Sequence, residues 1–279
     1  MTRQSDGVGA APAGGTEPVR LTHLFVTALL CTVGLTAAPG RSALAADGKV
    51  LPLPAKDRLD IDAMLGPGVV GAALPSVPIT DVTLYFPLEE RAMTYNVTAG
   101  KNAGGVQTLP VAKAQRPNGT TAWKFALSPS LAGFLHQTAG GDLYMPAVSD
   151  SGEGVIVVTT PPNPFLLTGM QPGSTRTLTQ KVAVNYLDDP SDRRYSGSLK
   201  AQYTYVGTYQ VTVPAGTYQA ILVRLQYQGR IGPANTQDTA YYFFAPHVGV
   251  VAMISQEDVV AFWIIHIDSR SGKVLASAS

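Results

Sequence analysis

A histidine and an aspartate near the C-terminus have the types and spacing needed for acid–base chemistry. His266 and Asp268 are two residues apart, so they share one face if their segment is a strand. A carboxylate beside an imidazole can orient it as a general base or complete part of a metal site. The other histidines after residue 45, His136 and His247, are widely spaced. A hydrolase that uses His266 and Asp268 is therefore one hypothesis.

Two acidic segments could also carry chemistry. Asp150 lies in an Asp-Ser-Gly tripeptide, as in aspartic proteases, but that reaction needs a second such carboxylate, and the chain has no second copy with the right spacing. The segment 188–195 holds three aspartates that could bind calcium, although Arg193 and Arg194 can neutralise them. Polar turns explain both segments better. Phosphate-loop, Gly-x-Ser-x-Gly and dinucleotide-binding patterns are absent, and we expect no metal ion and no cofactor.

The composition describes a folded protein without a nucleic-acid-binding surface. Of the 279 residues, 45% are apolar and 14% are charged, and the formal net charge is +1. Such a chain can bury a large core, and it is long enough for one large β domain. Because it has no blocks of lysine or arginine, it offers no electrostatic footprint for nucleic acid or an anionic membrane.

The N-terminal segment resembles an export signal. Arg20 precedes the apolar run Leu21–Ala38, and Ala43-Leu44-Ala45 follows as an A-x-A cleavage site. We predict a signal peptide over residues 1–45, cleaved near Ala45, and a periplasmic mature chain without a transmembrane helix. The alternative is an uncleaved anchor helix, for which the apolar run is short.

The only cysteine lies inside this predicted signal peptide. Cys31 follows Leu30, whereas a lipoprotein signal has a small residue just before the cysteine, so we do not expect lipidation. After cleavage the chain would contain no thiol, and it could form neither a disulfide nor a thiolate metal site. Export without disulfides fits a bacterial periplasmic protein.

The remaining chain divides into a Pro/Gly/Ala-rich segment, 46–79, and an all-β domain, 80–279. We predict helices over Lys56–Gly66 and over Ser128–Thr138, the second with Ser128 as N-cap and Pro129 at the first helical position. Residues 67–78 read as an extended linker or an edge segment. The β-like runs are Val82–Phe86, Ala92–Thr98, Gly105–Ala112, Thr121–Leu127, Leu143–Ala147, Val155–Thr160, Arg176–Tyr186, Ser198–Val213, Thr217–Tyr227, Thr239–Phe244, Val248–Ile254, Val259–Asp268 and Lys273–Ala276.

These runs predict an all-β fold built as an antiparallel barrel, half-barrel or strongly curved sheet with one short helix. No long helical periodicity follows residue 80, which argues against a parallel βαβ architecture. Segments 84–100 and 163–184 each place a phenylalanine-containing apolar cluster before a threonine-rich strand. Two similar β units within one sheet are therefore a further possibility.

Several motifs resemble those of a family of bacterial envelope proteins. Tyr85–Leu88, YFPL, followed by MTYNV is similar to the opening of that family, which reads YFPL…G…W-x-Y. Val211–Val223, VTVPAGTYQAILV, and Tyr241–Val251, YYFFAPHVGVV, resemble its VTVPAGTF…YAPGVGLV hallmark. Met93 and His247 depart from it, standing where the family has Trp and Gly. The resemblance implies an exported all-β fold, often at the cell envelope, and carries no catalytic residue with it.

Late strands that are apolar on both faces provide the main functional hypothesis. In the segment AILVRLQY, Ala220 and Leu222 fall on one face, and the opposite face carries Ile221, Val223, Leu225 and Tyr227. The segment VVAFWIIHI has the same character. Such strands occur where another layer covers the second face, or where that face lines an apolar cavity.

We therefore expect a non-catalytic exported protein that binds an apolar ligand, such as a lipid or acyl chain, or that assists envelope assembly. The predicted pocket wall consists of Leu222, Tyr242, Phe244, Phe262 and Trp263. One alternative is a scaffold or protein-interaction β domain with a filled core and an envelope protein as partner. The other is the hydrolase that uses His266 and Asp268.

Overall fold

A computed structural model of the protein describes residues 48–116, 119–261 and 265–278. For residues 259–261 and 265–268 it describes the backbone alone. The predicted signal peptide, Phe262 and Trp263 lie outside the described residues. No helix in the described part of the chain is long and apolar enough to cross a membrane.

The described residues form fourteen strands and two helices. The helices are α1 (Ala55–Leu65) and α2 (Val82–Tyr85). The strands are β1 (Lys49–Val50), β2 (Val70–Ser76), β3 (Arg91–Gly100), β4 (Val106–Gln115), β5 (Thr121–Ala126), β6 (Leu131–Gln137), β7 (Leu143–Asp150), β8 (Val155–Leu166), β9 (Thr175–Tyr186), β10 (Arg193–Val213), β11 (Gly216–Ile231), β12 (Ala234–Ala245), β13 (Gly249–Ala261) and β14 (Ile265–Ala278).

Strands β3 to β14 form a closed antiparallel barrel of twelve strands. Each strand pairs with the next one along the chain, and β14 returns to pair with β3. Closure of an up-and-down meander leaves its central strands without free edges. The barrel confirms the all-β antiparallel fold that the sequence predicts.

Strand β10 pairs with β11 along one edge and is long enough to pair with two strands, β9 and then β2, along the other. Its first half pairs with β9, from Arg193 to Thr204, and completes the barrel wall. A bulge between Tyr205 and Gly207 interrupts its register with β11. Beyond this bulge, Thr208 and the residues after it pair with β2, which carries β1 on its other edge. The segment before the barrel therefore contributes an edge strand, as the extended reading of residues 67–78 predicts.

Helix α1 covers the outside of the barrel. Both carboxylate oxygens of Asp57 accept hydrogen bonds from Arg224 Nη1 at 2.7 Å, and the hydroxyl of Tyr241 donates to Asp57 Oδ1 at 3.0 Å. Arg224 and Tyr241 are directly opposite each other on β11 and β12. The helix also buries Ile61, Met64 and Leu65. It therefore forms the second layer over one apolar face of the late strands.

Three local predictions were wrong. Residues Val82–Tyr85 are helical because the Asp81 carboxylate accepts the Thr83 N–H at 2.8 Å and caps a single turn. In the predicted helix Ser128–Thr138, the Ser128 hydroxyl instead accepts the Leu131 N–H in a tight turn, and β6 follows. Ala261 and Ile265 pair with each other, so the run Val259–Asp268 contains the ends of two antiparallel strands.

Candidate functional site

Aromatic side chains fill one end of the barrel interior, the end at which β12 finishes. The five rings are contributed by α2 and its flank, β5, β8 and β12: Phe86, Phe125, Phe165, Tyr242 and Phe244. The ring centroid of Phe86 lies 5.2 Å from that of Phe125 and 5.1 Å from that of Phe165. Phe165 and Phe244 are 5.2 Å apart. Because β5, β8 and β12 are not neighbours in the sheet, their side chains can meet only across the interior, which identifies this face as the inner one.

The segment before β3 closes the barrel at this end. Ile79 and Val82 are fully buried, and the Ile79 backbone exchanges hydrogen bonds with the β8–β9 turn through Met170 O and Gly169 N. The His247 N–H, in the β12–β13 turn, donates to Leu84 O at 2.6 Å. These contacts carry the chain across the closed end and hold Phe86 inside it. We call the five rings above the aromatic floor.

The interior opens toward the opposite end along β12 and β13. On β12, the inner-face residue nearest the closed end, Phe244, is 0% exposed. The next two inner-face residues away from that end, Tyr242 and Ala240, are partly exposed. On β13, Met253 is buried but Ser255 and Glu257 are exposed. The facing wall stays packed, as four buried side chains form one cluster there: Val155, Val182, Val184 and Leu199. Thr236, the inner residue of β12 beyond Asp238, is buried again. The opening above the aromatic floor is therefore limited to Asp238–Tyr242 of β12 and Ser255–Glu257 of β13, and we call it the funnel.

The structure brings together two of the five predicted pocket residues. The rings of Tyr242 and Phe244 are 5.9 Å apart and both belong to the aromatic floor. Leu222 lies opposite Phe243, whereas Tyr242 lies opposite Val223. Since side chains alternate along a strand, Leu222 faces the outer layer with Arg224 and α1, away from the rings. Phe262 and Trp263 are outside the described residues.

The residues of the hydrolase hypothesis are described by their backbone positions. His266 and Asp268 lie on β14, opposite Val260 and Asp258, and their side chains are outside the description. Asp150 accepts the N–H groups of Gly152 and Glu153 in the β7–β8 turn. In the β9–β10 turn Asp189 accepts the N–H and hydroxyl of Ser191. Both acidic segments therefore have a structural role in a turn, and no group of three or more potential metal-binding side chains occurs among the described residues.

Two carboxylates on the inner face of the funnel were not anticipated from the sequence. Asp238 and Glu257 are directly opposite each other on β12 and β13. The Thr236 hydroxyl donates to Asp238 Oδ1 at 3.0 Å. Burial, and then the nearby Glu257 charge, raises the pKa of Asp238 to about 7. Although much of the Glu257 side chain is exposed, desolvation of its carboxyl group raises its pKa, with the Asp150 charge adding to the effect. Asp238 lies two residues from Ala240, and Glu257 lies two residues from Ser255, so each pair shares a strand face. This spacing is the sequence signal that could have placed both carboxylates on the inner face.

Asp238 makes stability depend on pH in a direction that can be measured. Because its pKa in the folded protein lies above 3.8, the folded state binds more protons than the unfolded state between these values. Stability therefore falls as the pH rises through that window. We expect the free energy of unfolding to be about 2 kcal/mol higher at pH 5 than at pH 8. Urea denaturation at both pH values measures this difference.

Two variants assign that pH dependence. Asp238→Asn should remove most of the difference between pH 5 and pH 8, since asparagine does not titrate. The control Asp188→Asn changes a carboxyl in the β9–β10 turn and should leave the difference in place. An unchanged pH dependence in Asp238→Asn would show that another group is responsible.

A lysine is buried on the same inner face. Lys273 is 5% exposed and lies opposite Met253 on β13 and Val97 on β3. Its ammonium group donates to the backbone oxygen of Leu127, just after β5. Burial lowers the pKa of Lys273 to about 8. Among the described residues, no carboxylate forms an ion pair with it.

Comparisons with known proteins supply no family. No family model matches the chain, and no curated protein matches it significantly. Two crystal structures are similar in part, each at 14% identity. A candidate lipoprotein from Parabacteroides distasonis ATCC 8503 matches 70% of this chain and 98% of its own, with a TM-score of 0.36. A candidate exported protein with a YmcC-like fold from Bacteroides fragilis NCTC 9343 matches 73% and 99%, with a TM-score of 0.33. Scores at this level assign neither fold nor function to the chain.

Proposed function

We propose that this chain is an exported, non-catalytic protein that holds an apolar ligand, such as a lipid or acyl chain, in the funnel of its barrel. The observation that supports this most directly is the exposure of inner-face residues next to the buried aromatic floor. Phe244 is fully buried, Tyr242 and Ala240 are partly exposed, and Ser255 is exposed. An apolar chain that entered the open end would reach aromatic rings before it met the closed end.

The funnel has the composition expected of a binding site for a largely apolar molecule. Such sites combine apolar and aromatic walls with a few polar groups that fix orientation. Here Tyr227, Ala240 and Tyr242 supply partly exposed apolar surface, and Asp238 and Glu257 supply polarity near the mouth. The closed end is packed with aromatic rings, so the ligand would occupy only the part nearer the mouth.

The location belongs to the proposal as well. The export-signal pattern over residues 1–45 and the resemblance to bacterial envelope proteins both favour a periplasmic chain cleaved near Ala45. A role in envelope assembly is compatible with lipid binding, since a carrier would deliver its ligand there. Mass spectrometry of the protein from a periplasmic extract would define its N-terminus.

Lipid binding is tested by filling the funnel. The purified protein is expected to carry lipid detectable by native mass spectrometry and to take up a fluorescent fatty acid. Ala240→Trp places a large side chain on the inner face, between the floor and the mouth, and should weaken uptake at least about fivefold by excluding the ligand. Thr239→Trp, one residue earlier and directed outward, is the matched control and should bind normally. A protein that carries no lipid and takes up none would contradict the proposal.

A protein-interaction role is the second candidate, and the outer wall supports it. A groove of about 780 Å³ crosses β8 to β11 on the outside and is lined by Lys181, Arg193 and Arg230 together with Ser196 and Ser198. Interaction with an acidic envelope protein would use this groove and would need no ligand in the funnel. Pull-down from membranes with wild type and with Lys181→Glu/Arg230→Glu separates this role from lipid binding.

A further inference from the structure

Among the described residues, the charge of Lys273 has no counterpart. Its side chain is 5% exposed, and the one hydrogen bond that it makes to a described residue is to the neutral Leu127 carbonyl. Burying an unpaired ammonium group is costly, and a methionine would fill the same space without that cost. An ammonium has three N–H donors, so two remain after the bond to Leu127.

The position of Lys273 places this charge at the base of the funnel. Lys273, Met253 and Tyr242 follow one another across β14, β13 and β12 in register, so they share the inner face. From the spacing of strands, Lys273 lies roughly 10 Å along the wall from Tyr242. Ser255, one inner position nearer the mouth on β13, is exposed to solvent. The open part of the barrel therefore begins next to Lys273.

The two carboxylates nearer the mouth disfavour an anionic head group there. Asp238 and Glu257 would repel an anionic group left between them, and no ion pair joins either to Lys273 among the described residues. The groups that face Lys273 from the neighbouring strands are uncharged: they are Met253, Val97 and the Leu127 carbonyl. An acidic head group is thus disfavoured at the mouth and favoured at the base.

We propose that the ligand is an acid with an apolar tail, such as a fatty acid, whose carboxylate pairs with Lys273 Nζ at the base of the funnel. This inference rests on the proposed function and specifies its ligand class and orientation. The tail would extend from Lys273 past Ala240 and Tyr227 toward the mouth. Carboxylate oxygens would accept the two remaining N–H donors in charge-assisted hydrogen bonds, which are stronger than neutral ones.

The test compares ligands that differ only in the head group. Palmitic acid and hexadecanol compete with a fluorescent fatty acid for wild type, Lys273→Met and Lys273→Arg, with the exposed Lys200→Met as control. Wild type and Lys200→Met should bind the acid at least about tenfold more tightly than the alcohol, the difference expected for charge-assisted hydrogen bonds. Lys273→Met should lose that preference and keep hexadecanol affinity, and Lys273→Arg should retain part of the preference.

A stability measurement accompanies the binding assay. Without ligand, Lys273→Met should melt at a higher temperature than wild type, since it removes an unpaired buried charge. Palmitic acid should raise the melting temperature of wild type and not that of Lys273→Met. Equal wild-type affinity for acid and alcohol, or an unchanged preference in Lys273→Met, overturns the inference while the proposed function stands. Failure of both lipids to bind wild type overturns both.

Discussion

Replacing Asp57 by alanine is expected to lower the free energy of unfolding by about 3–5 kcal/mol. Asp57 is 1% exposed, and its carboxylate receives Arg224 Nη1 on both oxygens and the Tyr241 hydroxyl on one. Removing it leaves the Arg224 guanidinium unpaired between α1 and the barrel, where its Nε already lacks a hydrogen-bond partner among the described residues. Urea denaturation followed by circular dichroism measures the loss.

A double variant separates the ion pair from the packing of α1. Asp57→Ala with Arg224→Met removes both charges, and it should recover at least half of the lost stability, because no buried charge is then left unpaired. Lys56→Ala is the control on the same helix, since Lys56 is exposed and forms no ion pair with a described residue; it should cost below about 1 kcal/mol. Equal losses in Asp57→Ala and Lys56→Ala would contradict the importance of the Asp57–Arg224 pair.

Replacing Phe86 by alanine should also cost about 3–5 kcal/mol, because the barrel closes around this ring. Phe86 is 0% exposed, it touches Phe125, Phe165 and Phe244, and the Arg91 guanidinium lies 5.2 Å from its ring centroid. The cavity would lie at the closed end, where strands from opposite walls cannot move together freely. Thermal and urea denaturation give the change in stability.

The position of the cavity provides a second readout for Phe86. Phe86→Ala should admit a small aromatic molecule such as benzene into the closed end and recover stability in its presence, since apolar cavities of this kind bind such molecules. Phe86→Leu fills most of the space and should cost less than half as much. Val106→Ala, at a position 65% exposed, should have little effect. A Phe86→Ala protein as stable as wild type would show that the floor does not depend on this ring.

Local sequence patterns predicted the elements that local forces determine. The helix predicted over residues 56–66 and the strands predicted over Ser198–Val213 and Thr217–Tyr227 follow from their own residues, and the structure has α1, β10 and β11 there. The helix expected over Ser128–Thr138 failed because its signal, a serine followed by proline, also begins a tight turn. Its following residues were then drawn into the sheet by pairing with the neighbouring strands β5 and β7, and such pairing is not visible in the residues 128–138 alone.

The candidate site shows where a sequence pattern reaches its limit. The alternation along β11 and β12 was visible, and it placed Leu222 on the face opposite Val223. It did not reveal that Phe243 lies opposite Leu222 and Tyr242 opposite Val223, and a shift of one residue would exchange the two faces. The sequence likewise predicted a helix and an apolar face that needs a cover, but it did not show that bonds from Arg224 and Tyr241 to Asp57 join the two. Lys273 gave no local signal, because its burial comes from β3, β13 and the end of β5.

The seam between β14 and β3 has a consequence for how the chain reaches its folded state. Leu275 pairs with Tyr95 across that seam, so ring closure joins residues from the two ends of the barrel sequence. Contacts of such long range form slowly, because a large loop must close before they contribute. A chain synthesised from its N-terminus cannot complete the ring until β14 is available. Until then β3 has a free edge that can pair with another chain. A protein that lacks residues 265–278 should therefore aggregate, because its barrel cannot close.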